Sequence, residues 1–283
     1  MVGRIRRKTK ARGLIGMLTN GFWFVALVCA APWVGQAQFS FATNNGTLTI
    51  TGYTGGYGPA VIPAQMYGMP VVSIGDHAFY YRNITSVTIP EGITSIADSA
   101  FEECLVLRSL TIPDSVVSIG NYAFATCTNL MEITIGRGVR SIGDYGFKML
   151  SWEYVFPDPM HFHFRGDAPQ LGANVFQPYV STIYYLPGTV GWGSTFGDRP
   201  AEPWVLPNPL ILDFGASFGV QGGQFGFLIS WATNLDVVVE ASTDLKAGQW
   251  TPLVTNALNQ GSVYFSDAHW MDYPNRFYRV RSE

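Results

Sequence analysis

The strongest constraint on this chain is a pattern that recurs about every 23 residues through its middle. Phenylalanine marks the same position of successive copies, and a small residue precedes it each time, at Phe79, Phe101, Phe124 and Phe147. A fixed period of about 20 to 50 residues is typical of solenoids, in which each unit packs only on its neighbours. Solenoids commonly present extended binding surfaces, so the pattern favours a binding protein over an enzyme.

Each copy also contains a run in which apolar and polar residues alternate, at 84–90, 107–113 and 130–136. This period of two is the pattern of a strand with one buried face. A shorter apolar pair follows each run before the small residue and the phenylalanine turn the chain back. We therefore predict stacked parallel strands, with the phenylalanines aligned in one continuous interior.

The polar positions of these strands should form columns on the exposed face of the sheet. Ordered rows of hydroxyl groups could bind a ligand, although serine and threonine are also ordinary residues of a solvated β face. Both interpretations remain open from the sequence. The candidate ligand-binding residues are Ser86, Thr88, Ser109, Thr111, Glu132 and Thr134.

Two cysteines, Cys104 and Cys127, occupy the same slot of consecutive copies. Adjacent strands lie about 4.8 Å apart, which falls within the Cα separation of a disulfide, about 4.4–6.8 Å. Side chains of one ladder point the same way, however, which is poor geometry for a bridge. We favour two buried thiols that act as small apolar fillers, with a disulfide as the alternative.

The first 37 residues have the outline of a secretory signal peptide. Six basic residues precede an apolar stretch that is strongest over 21–31, and small residues at Gly35 and Ala37 suit a signal peptidase. We predict cleavage after Ala37 and a secreted or cell-surface location. The alternative is an uncleaved signal anchor over 14–34, although Thr19-Asn20-Gly21 interrupts that run.

Removing the signal peptide makes the chain clearly acidic. Lys+Arg falls from 17 to 11 against 20 Asp+Glu, so the formal net charge becomes −9. An acidic chain is a poor partner for nucleic acid or for an anionic membrane surface. No later stretch is long and apolar enough to span a bilayer, so we predict neither a nucleic-acid partner nor a membrane span after signal removal.

The remaining chain divides into four predicted parts. Two alternating runs around Asn44-Asn45-Gly46 indicate a β-hairpin cap over 38–60. The solenoid and its C-terminal cap follow over 61–197, with a final strand near 183–186, and four prolines mark a stiff linker at 198–209. Residues 210–283 contain short strand-like runs typical of an antiparallel β-sandwich, at 225–231, 237–241, 250–254, 262–266 and 276–281.

The repeats resemble the BspA-type leucine-rich repeats of bacterial surface and secreted proteins. The motifs that carry the resemblance are the Ala-Phe pair, the cysteine three positions later, the Leu/Ile-x-x-Val/Leu/Ile-x-Ile-Pro strand and the Ser-Ile-Gly before the next Ala-Phe. They cover 61–147, with weaker matches to Phe196. The resemblance implies a one-sided parallel sheet and a role in adhesion or ligand binding. Gly136 replaces the strand proline, and Arg82 and Leu150 replace the cysteine, which suggests edge repeats.

The C-terminal run 277–281 resembles a late strand of fibronectin type III or immunoglobulin-like modules. Such modules commonly act as spacers or attachment domains. A standard last strand would be missing after it, which leaves the subtype open.

One constellation could carry chemistry. His161-x-His163, with Asp158 or Asp167 nearby, could bind zinc if the segment is a strand, because both imidazoles would then share a face. The alternative is a pair of surface residues in an aromatic-rich insertion over 149–165. His77 occupies a variable outward slot, so we assign it no catalytic role.

The sequence has no nucleophile elbow, phosphate-binding loop or paired-cysteine metal motif, and we predict no catalytic residue, metal or cofactor.

Together these features predict a mainly β chain, a leucine-rich-repeat solenoid followed by a small antiparallel β-sandwich. The function that fits is an exported, non-enzymatic protein that binds a protein or a glycan at the bacterial cell surface. The alternatives are a structural envelope or matrix component without a specific ligand, and an enzyme that uses the His161/His163 segment.

Overall fold

The structure is a computed structural model that describes residues 38–148, 160–176, 180–231, 235–258 and 261–283. The predicted signal peptide and most of the predicted insertion, with Leu150 and Asp158, lie outside these ranges. In the described ranges no helix is long and apolar enough to cross a bilayer. The described residues are mainly β, with a 3-10 turn at Trp270–Asp272.

The strands of the repeat region and its two ends are β1 Phe39–Asn44, β2 Thr47–Tyr53, β3 Gly58–Val61, β4 Gln65–Met66, β5 Met69–Ile74, β6 Ile84–Thr88, β7 Ser95–Ile96, β8 Ser109–Ile112, β9 Ser118–Ile119, β10 Glu132–Ile135, β11 Ser141–Ile142, β12 Met160–Phe164, β13 Gln170–Leu171, β14 Val180–Tyr185, β15 Thr195–Phe196 and β16 Arg199–Pro203. The C-terminal strands are β17 Leu210–Leu212, β18 Gly219–Gln221, β19 Gln224–Ser230, β20 Asp236–Ser242, β21 Thr251–Ala257, β22 Ser262–Asp267 and β23 Phe277–Ser282.

The longer strands of successive repeats form the predicted parallel sheet. β8, β10, β12, β14 and β16 pair in that order, and β3 pairs with β6 in a separate parallel ladder. Residues at the same repeat position face each other, so that Leu110, Ile133, Phe162 and Ile183 follow one another on the buried side. We call the outward side of β6, β8, β10, β12, β14 and β16 the strand face.

A second parallel ladder runs along another side of the solenoid, in the order β2–β5–β7–β9–β11–β13. Three of its six strands, β7, β9 and β11, are two-residue Ser-Ile strands, and the hydroxyls of Ser73 and Ser95 are 2.8 Å apart. The expectation of a sheet on one side only is therefore wrong. Two residues are too few to show a period of two, so the sequence displays only an apolar pair at this position.

The turn that carries the phenylalanine also bonds from repeat to repeat. Alternate N–H groups donate to the next copy, as in Phe79 N to Ala100 O at 2.7 Å and Phe101 N to Ala123 O at 2.8 Å. The residues two before and two after the phenylalanine adopt a left-handed backbone, for example Tyr122 (φ 54°) and Thr126 (φ 56°). Left-handed backbone is costly for residues other than glycine, so the bonds between copies must hold it.

The phenylalanines line up as predicted. Ring centroids are 4.6 Å apart between Phe79 and Phe101, 5.1 Å between Phe101 and Phe124, and 5.1 Å between Phe124 and Phe147, with planes within 16° of parallel. All four side chains are fully buried. Beyond Phe147 the stack changes direction, because Phe162 meets that ring edge-on at 5.0 Å.

The slot before each phenylalanine needs a small side chain, as the sequence suggested. Ala78, Ala100 and Ala123 are buried, and a Cβ on Gly146 would lie 2.8 Å from a methyl of Ile142. The chain therefore has no room for a larger residue at this turn.

The two cysteines are free, buried thiols, which confirms the favoured interpretation over a disulfide. Each Sγ donates to the backbone carbonyl of a phenylalanine one repeat earlier, Cys104 to Phe79 O and Cys127 to Phe101 O, both at 3.2 Å. Burial raises the pKa of Cys104 to about 12 and that of Cys127 well above its usual value. Both thiols therefore stay protonated and act as small hydrogen-bonded fillers.

Both ends of the solenoid are covered. β1 and β2 form an antiparallel hairpin around Asn45-Gly46, and Tyr53 stacks on Phe79 at 4.9 Å. At the other end Trp192 packs against Phe164 at 5.0 Å and lies parallel to Tyr185, also at 5.0 Å. The open ends of the hydrophobic interior are thereby closed to water.

The predicted linker at 198–209 is wrong in its first part, and β14 is not the final strand. Arg199–Pro203 forms β16, which pairs parallel with β14 and antiparallel with the short β15. The prolines suggested a linker because they cannot donate to a ladder. Here the donors are Ala201 N, to Ser194 O at 3.0 Å, and Trp204 N, to Tyr185 O at 2.6 Å.

Gly136 is required by close packing between copies, although other repeats have proline in its place. A Cβ at this position would lie 2.7 Å from the carbonyl oxygen of Ile112 and closer still to that of Pro113. We therefore expect Gly136→Ala to lower the free energy of unfolding by about 1–3 kcal/mol, measured by urea denaturation. Gly46→Ala is a control for backbone strain alone. A Cβ at Gly46 has no atom within 4 Å, while the backbone there is left-handed, with φ +80°. Unchanged stability of Gly136→Ala would contradict the close contact.

The C-terminal region contains two antiparallel sheets. β19 pairs with β17, β18 and β22, and β20 pairs with β21 and β23. Phe227 and Ile229 of β19 belong to the same buried cluster as Val237 and Val239 of β20. The five strands expected from the sequence are β19 to β23, whereas the three-residue β17 and β18 were missed. Assignment to a fibronectin type III or immunoglobulin-like subtype stays a prediction.

Two buried carboxylates link strands of this region. Asp267 accepts hydrogen bonds from Arg276 Nε, from the Tyr278 hydroxyl and from the backbone N–H of His269, at 2.9, 2.9 and 2.8 Å. Glu240 of β20 accepts bonds from two arginines of β23. Burial alone would raise the pKa of Asp267, but these hydrogen bonds together with the charge of Arg276 hold it below its usual value.

Candidate functional site

The candidate residues lie in two outward columns of the strand face. Ser109 faces Glu132, and Thr111 faces Thr134, across the β8–β10 ladder. Thr134 is half-buried and the other predicted positions are exposed to solvent. Ser86 and Thr88 are on β6, which hydrogen-bonds to β3, so they extend the face without joining the same ladder.

His161 and His163 continue these columns, because Glu132 pairs with His161 and Thr134 with His163 across the β10–β12 ladder. The segment 160–164 is thus a regular rung, with Phe162 and Phe164 buried on the other side. The expectation that it belongs to an insertion is wrong for these five residues. The alternation Met-His-Phe-His-Phe is itself a strand pattern, and it was the signal that could have placed them.

Beyond the histidines the face becomes aromatic. Tyr184 pairs with His163 across the β12–β14 ladder, and the two rings stack at 5.2 Å and 14°. Trp204 follows β16 and brings its ring to 4.6 Å from that of His163. We call Glu132, His161, His163, Tyr184 and Trp204 the His-aromatic patch.

His163 is held in its neutral form at the centre of this patch. Burial lowers the pKa of its imidazole, the carboxylate of Glu132 partly opposes this, and the nearby His161 lowers the pKa further. Nδ1 of His163 lies 3.6 Å from the Glu132 carboxylate. At neutral pH the patch therefore combines an uncharged ring stack with a negative charge at its margin.

The zinc interpretation gains no third ligand in the described part of the chain. No group of three histidine, cysteine, aspartate or glutamate side chains is placed there to hold a metal ion. Asp167 accepts a hydrogen bond from Val190 N at 2.9 Å and so is used in a turn between repeats. Asp158, the other suggested ligand, lies outside the described residues.

The turn side of the solenoid carries a second set of aromatic residues. Tyr80 and Tyr81 are exposed, whereas Tyr122 and Tyr145 stack on each other at 4.9 Å. The ammonium group of Lys148 lies 4.7 Å from the Tyr145 ring. The slot of His77 is exposed there, as expected, but Ser99 in the same slot is buried.

A cavity of about 270 Å³ lies beside the His-aromatic patch. Arg165, Leu186 and Trp204 of the repeat region form one side of it, and Leu206 to Leu210 form the other. The guanidinium of Arg165 is 3.4 Å from Asp114, which also pairs with Arg137 at 3.3 Å. Arg137 reaches Asp213 as well, so a chain of charges joins the repeats to the C-terminal region.

The sequence did not single out Tyr184 or Trp204. Tyr184 was assigned to a final strand without a role, and Trp204 fell in the predicted linker. Their contribution depends on the register of β14 and β16, which pairs Tyr184 with His163 on one side and with Glu202 on the other.

Comparison with known proteins finds a family that is similar to the repeats. Residues 68–159 match the family described as BspA type leucine rich repeat region, in six copies. No curated protein is similar enough to the chain to count as a match.

Three crystal structures of leucine-rich repeat proteins are similar to about half of this chain. A leucine rich cell surface protein of Faecalibacterium prausnitzii is 26% identical over 52% of this chain and 53% of its own, with a TM-score of 0.35. A protein of T. pallidum is 21% identical over 50% and 86%, with a TM-score of 0.32. A protein of Bacteroides capillosus is 25% identical over 52% and 94%, with a TM-score of 0.33. This chain thus spans about half the length of the first.

Proposed function

Since residues 68–159 are a BspA-type leucine-rich repeat region, we propose that this chain is an exported, non-enzymatic protein that binds a protein or glycan partner through its strand face. Its place would be the bacterial cell surface. The predicted signal peptide at 1–37 supports export, and the C-terminal sheets would position the repeats.

The observation that carries this proposal is the register of the strand face. Two outward columns run without a break across β8, β10, β12 and β14, from Ser109 and Thr111 to the His-aromatic patch. Repeated strands keep such side chains about 4.8 Å apart on a rigid support. A preorganised surface of this kind loses little conformational entropy when it binds.

The proposal predicts that lysine on the strand face weakens binding. Residues 38–283 would be screened against protein and glycan arrays, and Ser109→Lys/Thr111→Lys would be tested on every hit. We expect at least about tenfold weaker binding, or about 1.4 kcal/mol, because two long cations would crowd and repel the bound partner.

Val117→Lys is the matched control, since Val117 is 49% exposed and next to the second ladder. Full binding by the strand-face variant would refute the placement of the site. An array without hits would favour the structural envelope component instead. Fractionation of cells that express the full chain tests export separately.

A further inference from the structure

We infer that the partner is a protein that presents an arginine or lysine side chain to the His-aromatic patch. This inference rests on the proposed function, because it assigns a chemical class to the partner of the strand face. It is carried by the arrangement of rings and carboxylates at the C-terminal end of that face.

The rings provide the first part of a cation site. The ring centroid of His163 is 5.2 Å from that of Tyr184 and 4.6 Å from that of Trp204. Tryptophan and tyrosine are the rings that attract a guanidinium or ammonium group most strongly, within about 6 Å of the centroid. The chain itself uses this contact elsewhere, where Arg279 lies over Trp250 at 4.5 Å.

Two carboxylates provide the second part. The side chain of Glu132 is 58% exposed while lying 3.6 Å from His163, so it can accept a further donor. Glu202 is exposed next to Tyr184 in the β14–β16 ladder. Neither outward column contains a lysine or arginine. The columns are Thr111, Thr134, His163, Tyr184 and Glu202, and Ser109, Glu132, His161 and Thr182.

The groups around His163 set the charge of the patch at neutral pH. Glu132 of β10 and His161 of β12 are the ionisable groups that act on His163, while Tyr184 and Trp204 bring aromatic rings. The carboxylate of Glu132, with that of Glu202 next to Tyr184, makes this end of the strand face negative, which suits a cation. The nearby guanidinium of Arg165 is paired with Asp114.

The test uses three peptides of matched length, Gly-Ser-Arg-Ser-Arg-Ser-Gly and its lysine and glutamate counterparts, with residues 38–283 of the protein. Binding would be measured by isothermal calorimetry, and the Trp204 indole N–H would be followed by NMR. We expect the arginine and lysine peptides to bind and to shift the Trp204 signal, whereas the glutamate peptide should do neither.

Three variants locate the contact. Glu132→Gln and Trp204→Phe should each weaken binding several-fold, whereas Glu102→Gln, a carboxylate on the turn side of the same solenoid, should leave it unchanged. The exposed Glu132 can be neutralised without disturbing the fold, which far-UV circular dichroism would check.

Equal binding of the glutamate peptide, equal loss in Glu102→Gln, or no binding of any peptide would overturn the inference. A sugar hit on the array that is lost in Ser109→Lys/Thr111→Lys but not in Glu132→Gln would also overturn it, while leaving the proposed function intact. The proposed function would fail separately, if Ser109→Lys/Thr111→Lys left array binding unchanged.

Discussion

Replacing Phe124 with alanine should lower the free energy of unfolding by about 3–5 kcal/mol. The ring lies between those of Phe101 and Phe147, 5.1 Å from each and parallel to both within 4°, and it is fully buried. Its removal leaves a cavity that neighbouring rungs cannot fill, because strand pairing on both sides fixes their spacing. Urea denaturation followed by far-UV circular dichroism would measure the change.

Phe124→Leu is the matched control, since it keeps most of the volume and should cost much less than the alanine variant. Val117→Ala, at an exposed position, should change stability by less than about 0.5 kcal/mol. Similar stabilities for Phe124→Ala and Val117→Ala would mean that the phenylalanines do not form a continuous interior.

The second large effect is expected in the C-terminal region, where Asp267→Ala should cost about 3–5 kcal/mol. The side chain of Asp267 is only 7% exposed, and that of its partner Arg276 only 12%. Removing the carboxylate leaves a largely buried guanidinium without its counter-charge and the Tyr278 hydroxyl without its acceptor. Hydrogen exchange of peptides from β22 and β23, measured by mass spectrometry, would report the local loss of stability.

The same contact predicts a dependence on pH. Because the folded protein lowers the pKa of Asp267, the stability from this carboxylate is complete above its unfolded pKa of about 3.9 and is lost as pH falls through the lower folded pKa. Asp267→Ala should remove this part of the acid dependence. Asp272→Ala, a change at a 66% exposed carboxylate, should leave both stability and its acid dependence nearly unchanged. If the two variants behaved alike, Asp267 would have no structural role.

Much of the repeat fold could be predicted from the sequence because identical chemistry recurs at fixed spacing. The stacked phenylalanines, the small residue before each of them and the alternating strands each appear several times, so chance matches are unlikely to agree. The buried thiols followed from the same logic, since Cys104 and Cys127 share a slot whose side chains point in one direction.

Three features could not be predicted, each for a physical reason. The Ser-Ile rungs are too short to show a period, and the left-handed turn residues, such as His77 and Ser99, are held by bonds to the next copy rather than by glycine. The prolines of β16 argue against a strand in the sequence, but the ladder forms because the N–H groups of Ala201 and Trp204 donate instead. In each case a contact between copies overrides a local preference.

The candidate site was predicted only in part for the same reason. The hydroxyl columns follow from alternation within single strands, and they do lie outward. The His-aromatic patch depends on how four strands align after a longer interval, since Phe147 and Phe176 are 29 positions apart rather than 23. Local pattern cannot set that alignment, so Tyr184 and Trp204 were assigned no role.

The covered ends of the solenoid have an evolutionary consequence. Because β1–β2 at one end and the Trp192 segment at the other close the interior, a duplication of one internal unit would leave both closures intact. Each such duplication would add a rung of about 4.8 Å to the array. Unequal recombination within the gene could therefore change the length of the strand face to suit partners of different size. The fold itself would stay the same.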